Sequence, residues 1–222
     1  MNLEARMRLI KRDVRKYFEL GEEVAHAVTH GIGMLLGVVA LVLLMIKSKH
    51  VEQGLYTMSM LIYSISLIVL YTNSMLYHAF PRGKVKDIFE RMDHASVYLL
   101  IAGTYTPFCL LVVGGTKGVI ACSIQWSLAI LGVVFKSIWI EKFVKIHVAI
   151  YLILGWTIIF FAGAILDNLH VQGFILLFAG GLGYSIGVLF YVFDWFKYHH
   201  FVWHLFVLLA SILHFFCIYL YV

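Results

Sequence analysis

Charge is scarce in this chain: Asp, Glu, Lys and Arg make up 13% of its 222 residues, while 62% are hydrophobic. A soluble domain cannot cover that much apolar surface with so few charges, and the mean hydropathy of +0.92 places the chain among integral membrane proteins. Cysteine is scarce as well. Cys109, Cys122 and Cys217 are odd in number and fall inside apolar stretches, so they read as small packing residues and imply no disulfide framework. There is no Walker loop, no GxSxG elbow and no dinucleotide fingerprint, and so nothing points to nucleotide-driven transport. Residues 1–20 are charged and lack an apolar h-region, which argues against a cleavable signal peptide.

What the chain does have is long apolar runs. A membrane-crossing helix needs roughly 20 such residues, and seven stretches qualify: Ala25–Ile46, Gly54–Ala79, Asp93–Val113, Gly118–Lys136, Phe143–Leu166, Val171–Phe193 and His200–Val222. Little chain is left over. The expectation is an all-α membrane protein, a seven-transmembrane-helix bundle forming one domain over residues 1–222, with residues 1–22 as a cytoplasmic leader. In that leader Leu3, Met7, Ile10, Val14 and Tyr17 recur at helical spacing between basic residues. The pattern suits a short amphipathic helix on the inner membrane surface, with a solvated charged leader as the alternative.

The basic residues orient the bundle. With the N-terminus cytoplasmic, 14 of the 17 Lys and Arg fall in inside segments, and only Lys47, Lys49 and Lys117 fall outside. Positive charge is retained in the cytoplasm during insertion, so the expected orientation is N-terminus cytoplasmic and C-terminus extracytoplasmic. The pI of 9.1 then reflects topology and attraction to anionic lipid headgroups, and it implies no nucleic-acid partner. The expected location is the cell membrane, multi-pass.

Within this frame the polar residues of the spans converge. The last helix opens with His200 and His204, one turn apart; the second ends in "NSMLYH", carrying Ser74 and His78; the third begins with Asp93. All lie near the cytoplasmic boundary. Residues i and i+4 share a helix face, as do Asp93, Ser96, Leu100 and Thr104 on the third helix, and ionisable residues in a span almost always face the bundle interior. Pro107 is a candidate kink further along. Three imidazoles and a carboxylate suit zinc, and three protein ligands plus water is the pattern of an open, reactive zinc site. The competing reading is that these histidines hydrogen-bond between helices and cap backbone groups.

The segments "EEVAHAVTHGIG", "SMLYHAF", "FERMDHASVYLLIAGTYTPF" and "HHFVWHLFVLLASILHFF" resemble, in order and over essentially the whole chain, the signatures of the hemolysin III family. That family is the bacterial branch of the progestin and adipoQ receptor group, within a wider superfamily of membrane metal-dependent hydrolases. The resemblance implies that His78, His200 and His204 ligate zinc, that Asp93 contacts the metal through water, and that Ser74 lies beside it. One departure stands out. His26 occupies a position where related sequences more often have Asn, creating a second HxxxH with His30.

His26 and His30 share a face at the same level, yet Gly31 and Gly33 argue mainly for close packing there, and His30 reads best as a hydrogen-bonded interior residue. His214 lies about 15 Å along the helix from His204, too far for the same ion; an interhelical hydrogen bond is its expected role. His94 points away from Asp93 and suits a supporting position, and His147 is a candidate for lining the cavity. His50, His170 and His199 need no function. Gly33/Gly37 and Gly183/Gly187 have GxxxG spacing, which permits close helix contact. Three functions fit this reading. One is a zinc-dependent hydrolase of lipid amides or esters drawn from the inner leaflet, with Asp93 orienting or deprotonating water and Ser74 stabilising an oxyanion. The second is a receptor or membrane-state sensor with structural zinc, and the third is cytolysis.

Overall fold

In lipid every backbone N–H and C=O must be satisfied within the chain, so apolar runs of this length become helices. The computed structural model describes the backbone of residues 3–139 and 143–222 and the side chains of 20–139, 143 and 145–222. The helices are α1 (Leu3–Val51), α2 (Gly54–Ala79), α3 (Lys84–Pro107), α4 (Gly115–Ile138), α5 (Val144–Trp156), α6 (Ala162–Asn168), α7 (Val171–Val192) and α8 (His199–Tyr221). Among the described residues seven segments are long and apolar enough to cross a membrane, with α5 and α6 sharing one of them, Lys145–Asn168. This is the expected seven-helix, multi-pass architecture. The leader is helical and runs unbroken into the first span; the face that Leu3, Met7, Ile10, Val14 and Tyr17 present lies outside the described side chains.

Two spans depart from the expected outline. α3 begins at Lys84, so Asp93 stands well inside the helix and not at its start. The charged turns before Asp93 are held by tertiary contacts: Lys86 Nζ donates to Glu23 Oε2 at 3.0 Å, and Arg91 donates to the Ser137 carbonyl at 2.8 Å. The fifth span is interrupted by a 3₁₀ turn, Thr157–Phe161. Its freed backbone groups find side chains from neighbouring helices. The Tyr105 hydroxyl donates to the Gly155 carbonyl at 2.8 Å and accepts from the Ile158 N–H at 2.7 Å, while Gln125 Nε2 donates to the Leu154 carbonyl at 2.9 Å. Broken helices are tolerated at membrane depth where neighbours re-satisfy the backbone in this way. Pro107, which lacks an N–H, is followed by a π-helical stretch, Phe108–Val113, that completes α3's span.

Helix packing closes a ring. α1 packs on α2, α2 on α3, α3 on α5, α5 on α7, α7 on α8 and α8 back on α1, while α4 stands outside, mainly against α3. Outward faces are apolar and exposed, up to 84% for Phe160, as lipid contact requires. Inward faces carry small and polar groups; Asn73 Nδ2 donates to Ser96 Oγ at 2.7 Å between α2 and α3. The glycines work as close contacts. A Cβ on Gly187 would stand 2.7 Å from Phe206 Cβ, and one on Gly180 would strike the His214 imidazole. His214 Nε2 is thereby brought to 3.1 Å from the Leu177 carbonyl, the interhelical bond expected of it. The three cysteines are free and buried.

Candidate metal centre

Four histidines from three helices meet at one end of the ring. His26 (α1), His78 (α2), His200 and His204 (α8) each offer a ring nitrogen, and those four atoms lie within 4.8 Å of one another. His26, His78 and His204 are buried, at 6%, 7% and 2% exposure. Their ring centroids are 4.5 to 5.8 Å apart. α1 and α8 are drawn together beside them by Glu22, whose Oε1 accepts from the Tyr198 N–H at 2.8 Å. The α7–α8 turn is fixed by His199, which bonds the Phe190 carbonyl at 2.7 Å and Asp194 at 2.5 Å.

Helical spacing explains the grouping. His200 and His204 share the inner face of α8, and His78 closes the last turn of α2 opposite them. His26 arrives from α1, where sequence reasoning favours packing over ligation. His30, one turn further, lies with its ring 3.7 Å from that of His204. It is buried as expected but is not hydrogen-bonded: neither of its ring nitrogens has a partner. Its ring lies against the His204 imidazole instead, with the planes 22° apart.

The donor set fits a metal. Both nitrogens of His26, Nε2 of His78 and Nδ1 of His204 are buried without a hydrogen-bond partner. Buried polar atoms of that kind are rare, and each costs about 1–3 kcal/mol when left unsatisfied. A divalent ion uses just such lone pairs, and neutral imidazole is a favoured ligand of zinc. His78 is prepared for the task. Its Nδ1–H donates to Glu23 Oε2 at 2.9 Å, and the same oxygen accepts from Lys86. A carboxylate behind a histidine fixes the tautomer and ring orientation, leaving Nε2 as a lone pair facing the cluster. Glu23 was missed in the sequence. The signal available was its spacing, three residues before His26 and seven before His30, on their shared face.

Asp93 and Ser74 are neighbours whose side chains interact directly, and Ser74 is fully buried. They are not in the group of converging nitrogens. Both stand in the wall of a cavity of about 350 Å³ that also includes His200 and His204. Every helix of the ring contributes to that wall, and α4 does not. Apolar side chains dominate it, among them Leu100, Ile101, Leu152, Val188 and Val207, and it extends past Tyr105 and Gly155 at the break in the fifth span to His214. His94 lines it too, with Nδ1 unpartnered. His147 does not line it; the Tyr98 hydroxyl holds that ring at 2.7 Å from Nδ1.

Comparison with known proteins agrees with this architecture. The model of a family described as haemolysin-III related matches residues 18–215. The chain is 42% identical to a hemolysin-3 homolog of Bacillus subtilis (strain 168) over 204 residues, covering 92% of this chain and 96% of the relative. It is 41% identical to hemolysin-3 of Bacillus cereus over 201 residues, 90% and 92% of the two chains. A more distant relative is the human monocyte to macrophage differentiation factor, 27% identical over 169 residues, 72% of this chain and 68% of that protein. The motif-based resemblance and the full-length matches agree: this chain is a multi-pass cell-membrane protein belonging to the haemolysin-III related family.

Proposed function

We propose that the chain is a zinc-dependent hydrolase of membrane lipids, acting on an amide or ester bond. The observation that carries this reading is the shared wall of one cavity: His200, His204, Asp93 and Ser74 stand together in an apolar space of about 350 Å³, within the size range of small-molecule sites. His78, His200 and His204 would hold the ion, with Glu23 steadying His78. Zinc supplies a Lewis acid that polarises a carbonyl and makes water acidic near neutral pH. Asp93 accepts a proton, Ser74 donates a hydrogen bond to the oxygen where negative charge develops, and the apolar walls hold the acyl chain and exclude bulk water. The 14-to-3 division of basic residues supports a cytoplasmic N-terminus, so the substrate would come from the inner leaflet.

A receptor-like sensor with structural zinc is the second reading. Its support is the fourth histidine, His26, within the cluster, since structural sites are closed by four protein ligands. Lysis of the kind named for the Bacillus cereus relative would follow from altered membrane lipids under the hydrolase reading.

Asp93→Asn separates the two, because it keeps shape and hydrogen-bonding reach while removing the proton acceptor. The hydrolase reading expects zinc to be retained, with affinity weakened about 10–100-fold, and release of fatty acid from a lipid amide or ester in vesicles to collapse. Activity at the parent level in Asp93→Asn would remove Asp93 from the chemistry. Outright loss of metal would make it a direct ligand.

A further inference from the structure

The geometry points to His26 as a fourth imidazole ligand, so that in its resting state this chain surrounds its ion with nitrogen and closes the position a hydrolase needs open. The inference rests on the reading of His78, His200 and His204 as ligands and goes beyond it. With metal–nitrogen bonds of about 2.0–2.1 Å, four imidazoles arranged tetrahedrally around zinc keep their ring centroids roughly 5 Å apart. The His26 ring is 4.5 Å from His78, 4.9 Å from His200 and 4.7 Å from His204. The other three separations are 5.0, 5.8 and 4.9 Å. His26 therefore meets the spacing at least as well as the three expected ligands meet it among themselves.

A packing role accounts poorly for this ring. It is 6% exposed, and neither of its nitrogens has a hydrogen-bond partner. An apolar ring would fill the same space with no polar atom left over. His30, on the same helix, also has two unpartnered ring nitrogens, so orphaned atoms alone do not single out His26. The convergence of donors does, whereas the His30 centroid is only 3.7 Å from that of His204, with the planes 22° apart. That is a stacking contact, and His30 is not one of the converging donors. His26 also reaches the cluster from outside the cavity wall, to which His200 and His204 belong. Its ring can hold the ion while the cavity side stays clear for lipid. Turnover would then require that ring to swing off the ion or a fifth position to open on the cavity side. His26 becomes a brake on the site.

The test is X-ray absorption on the full-length protein in detergent, loaded with zinc, followed by cobalt substitution with azide as a small anionic probe. Four nitrogen ligands with imidazole scattering, and a cobalt spectrum that azide leaves unchanged, are expected for the parent chain. His26→Phe keeps a ring in place and should show three imidazoles, an azide-dependent shift of the visible bands, and zinc release to a chelator at least tenfold faster, since loss of a mere supporting partner costs about 10–100-fold. Three imidazoles plus oxygen in the parent would overturn the role of His26 and leave the three-ligand reading intact. A parent chain that takes up no metal would remove the ligand reading itself, and His26 with it. The parent spectrum decides the matter even if His26→Phe does not fold.

Discussion

Replacing Glu23 by Gln tests whether the histidine cluster is organised around an ion or only packed. The Glu23 carboxylate accepts from His78 Nδ1–H at 2.9 Å and from Lys86 Nζ at 3.0 Å. Gln keeps the size and a neutral acceptor but removes the charge that makes His78 a better electron donor. Partners behind metal-binding histidines are worth about 10–100-fold in metal affinity, about 1.4–2.8 kcal/mol at about 1.4 kcal/mol per tenfold. The Lys86 contact is worth less. Glu23 is 39% exposed, and ion pairs open to solvent contribute about 0–1 kcal/mol. Glu23→Gln should therefore weaken zinc binding about 10–100-fold, whereas Lys86→Met should weaken it less than about fivefold. Competition against a zinc-chelating dye, on detergent-solubilised protein at fixed pH, measures both. An unchanged affinity in Glu23→Gln, or an equal loss in Lys86→Met, would contradict this role of the carboxylate. In the first case His78 would not need its carboxylate; in the second the effect would come from the α2–α3 connection and not from the ring.

Gly180→Val places a side chain where the His214 imidazole lies and breaks its 3.1 Å bond to the Leu177 carbonyl; overpacking and the orphaned buried polar group cost about 1–3 kcal/mol each. The apparent Tm in detergent should fall by at least about 4 °C, with an unchanged Tm contradicting the close contact of α7 and α8. A reporter fused after Val222 should be extracytoplasmic and one inserted near Lys84 cytoplasmic. The opposite pattern would put the histidine cluster at the outer face.

Much of the fold is legible in the sequence because lipid imposes a simple rule: an apolar run of sufficient length must be a helix. What the rule misses is tertiary. "YLILGWTIIFFAGAIL" reads as one unbroken span, and the break after Trp156 is sustained by Tyr105 and Gln125, from two other helices, which join Thr157 of the span itself in bonding its loose backbone groups. α3 starts nine residues before Asp93 because Lys86 and Arg91 find acceptors on other segments, which hydropathy cannot register. In the site, His200 with His204 and Ser74 with His78 announce themselves through i,i+4 spacing inside apolar helices. His26 carries the same spacing to His30, but Gly31 and Gly33 favour packing there, and the approach of α1 to α8 is a fact of assembly. Glu23 is hidden for another reason: it directly follows the charged leader, where an acidic residue looks solvated until His78 is brought to it.

The most direct measurement is the metal content of the purified full-length protein beside His200→Ala and His204→Ala, by inductively coupled plasma mass spectrometry after equilibration with zinc and removal of loosely held ions. About one zinc per chain is expected in the parent protein and clearly less in both variants once loosely held ions are removed, because each substitution takes away an imidazole ligand and weakens the hold on the ion. Zinc retained at the parent level in both variants, or absent from the parent, would contradict the ligand assignment.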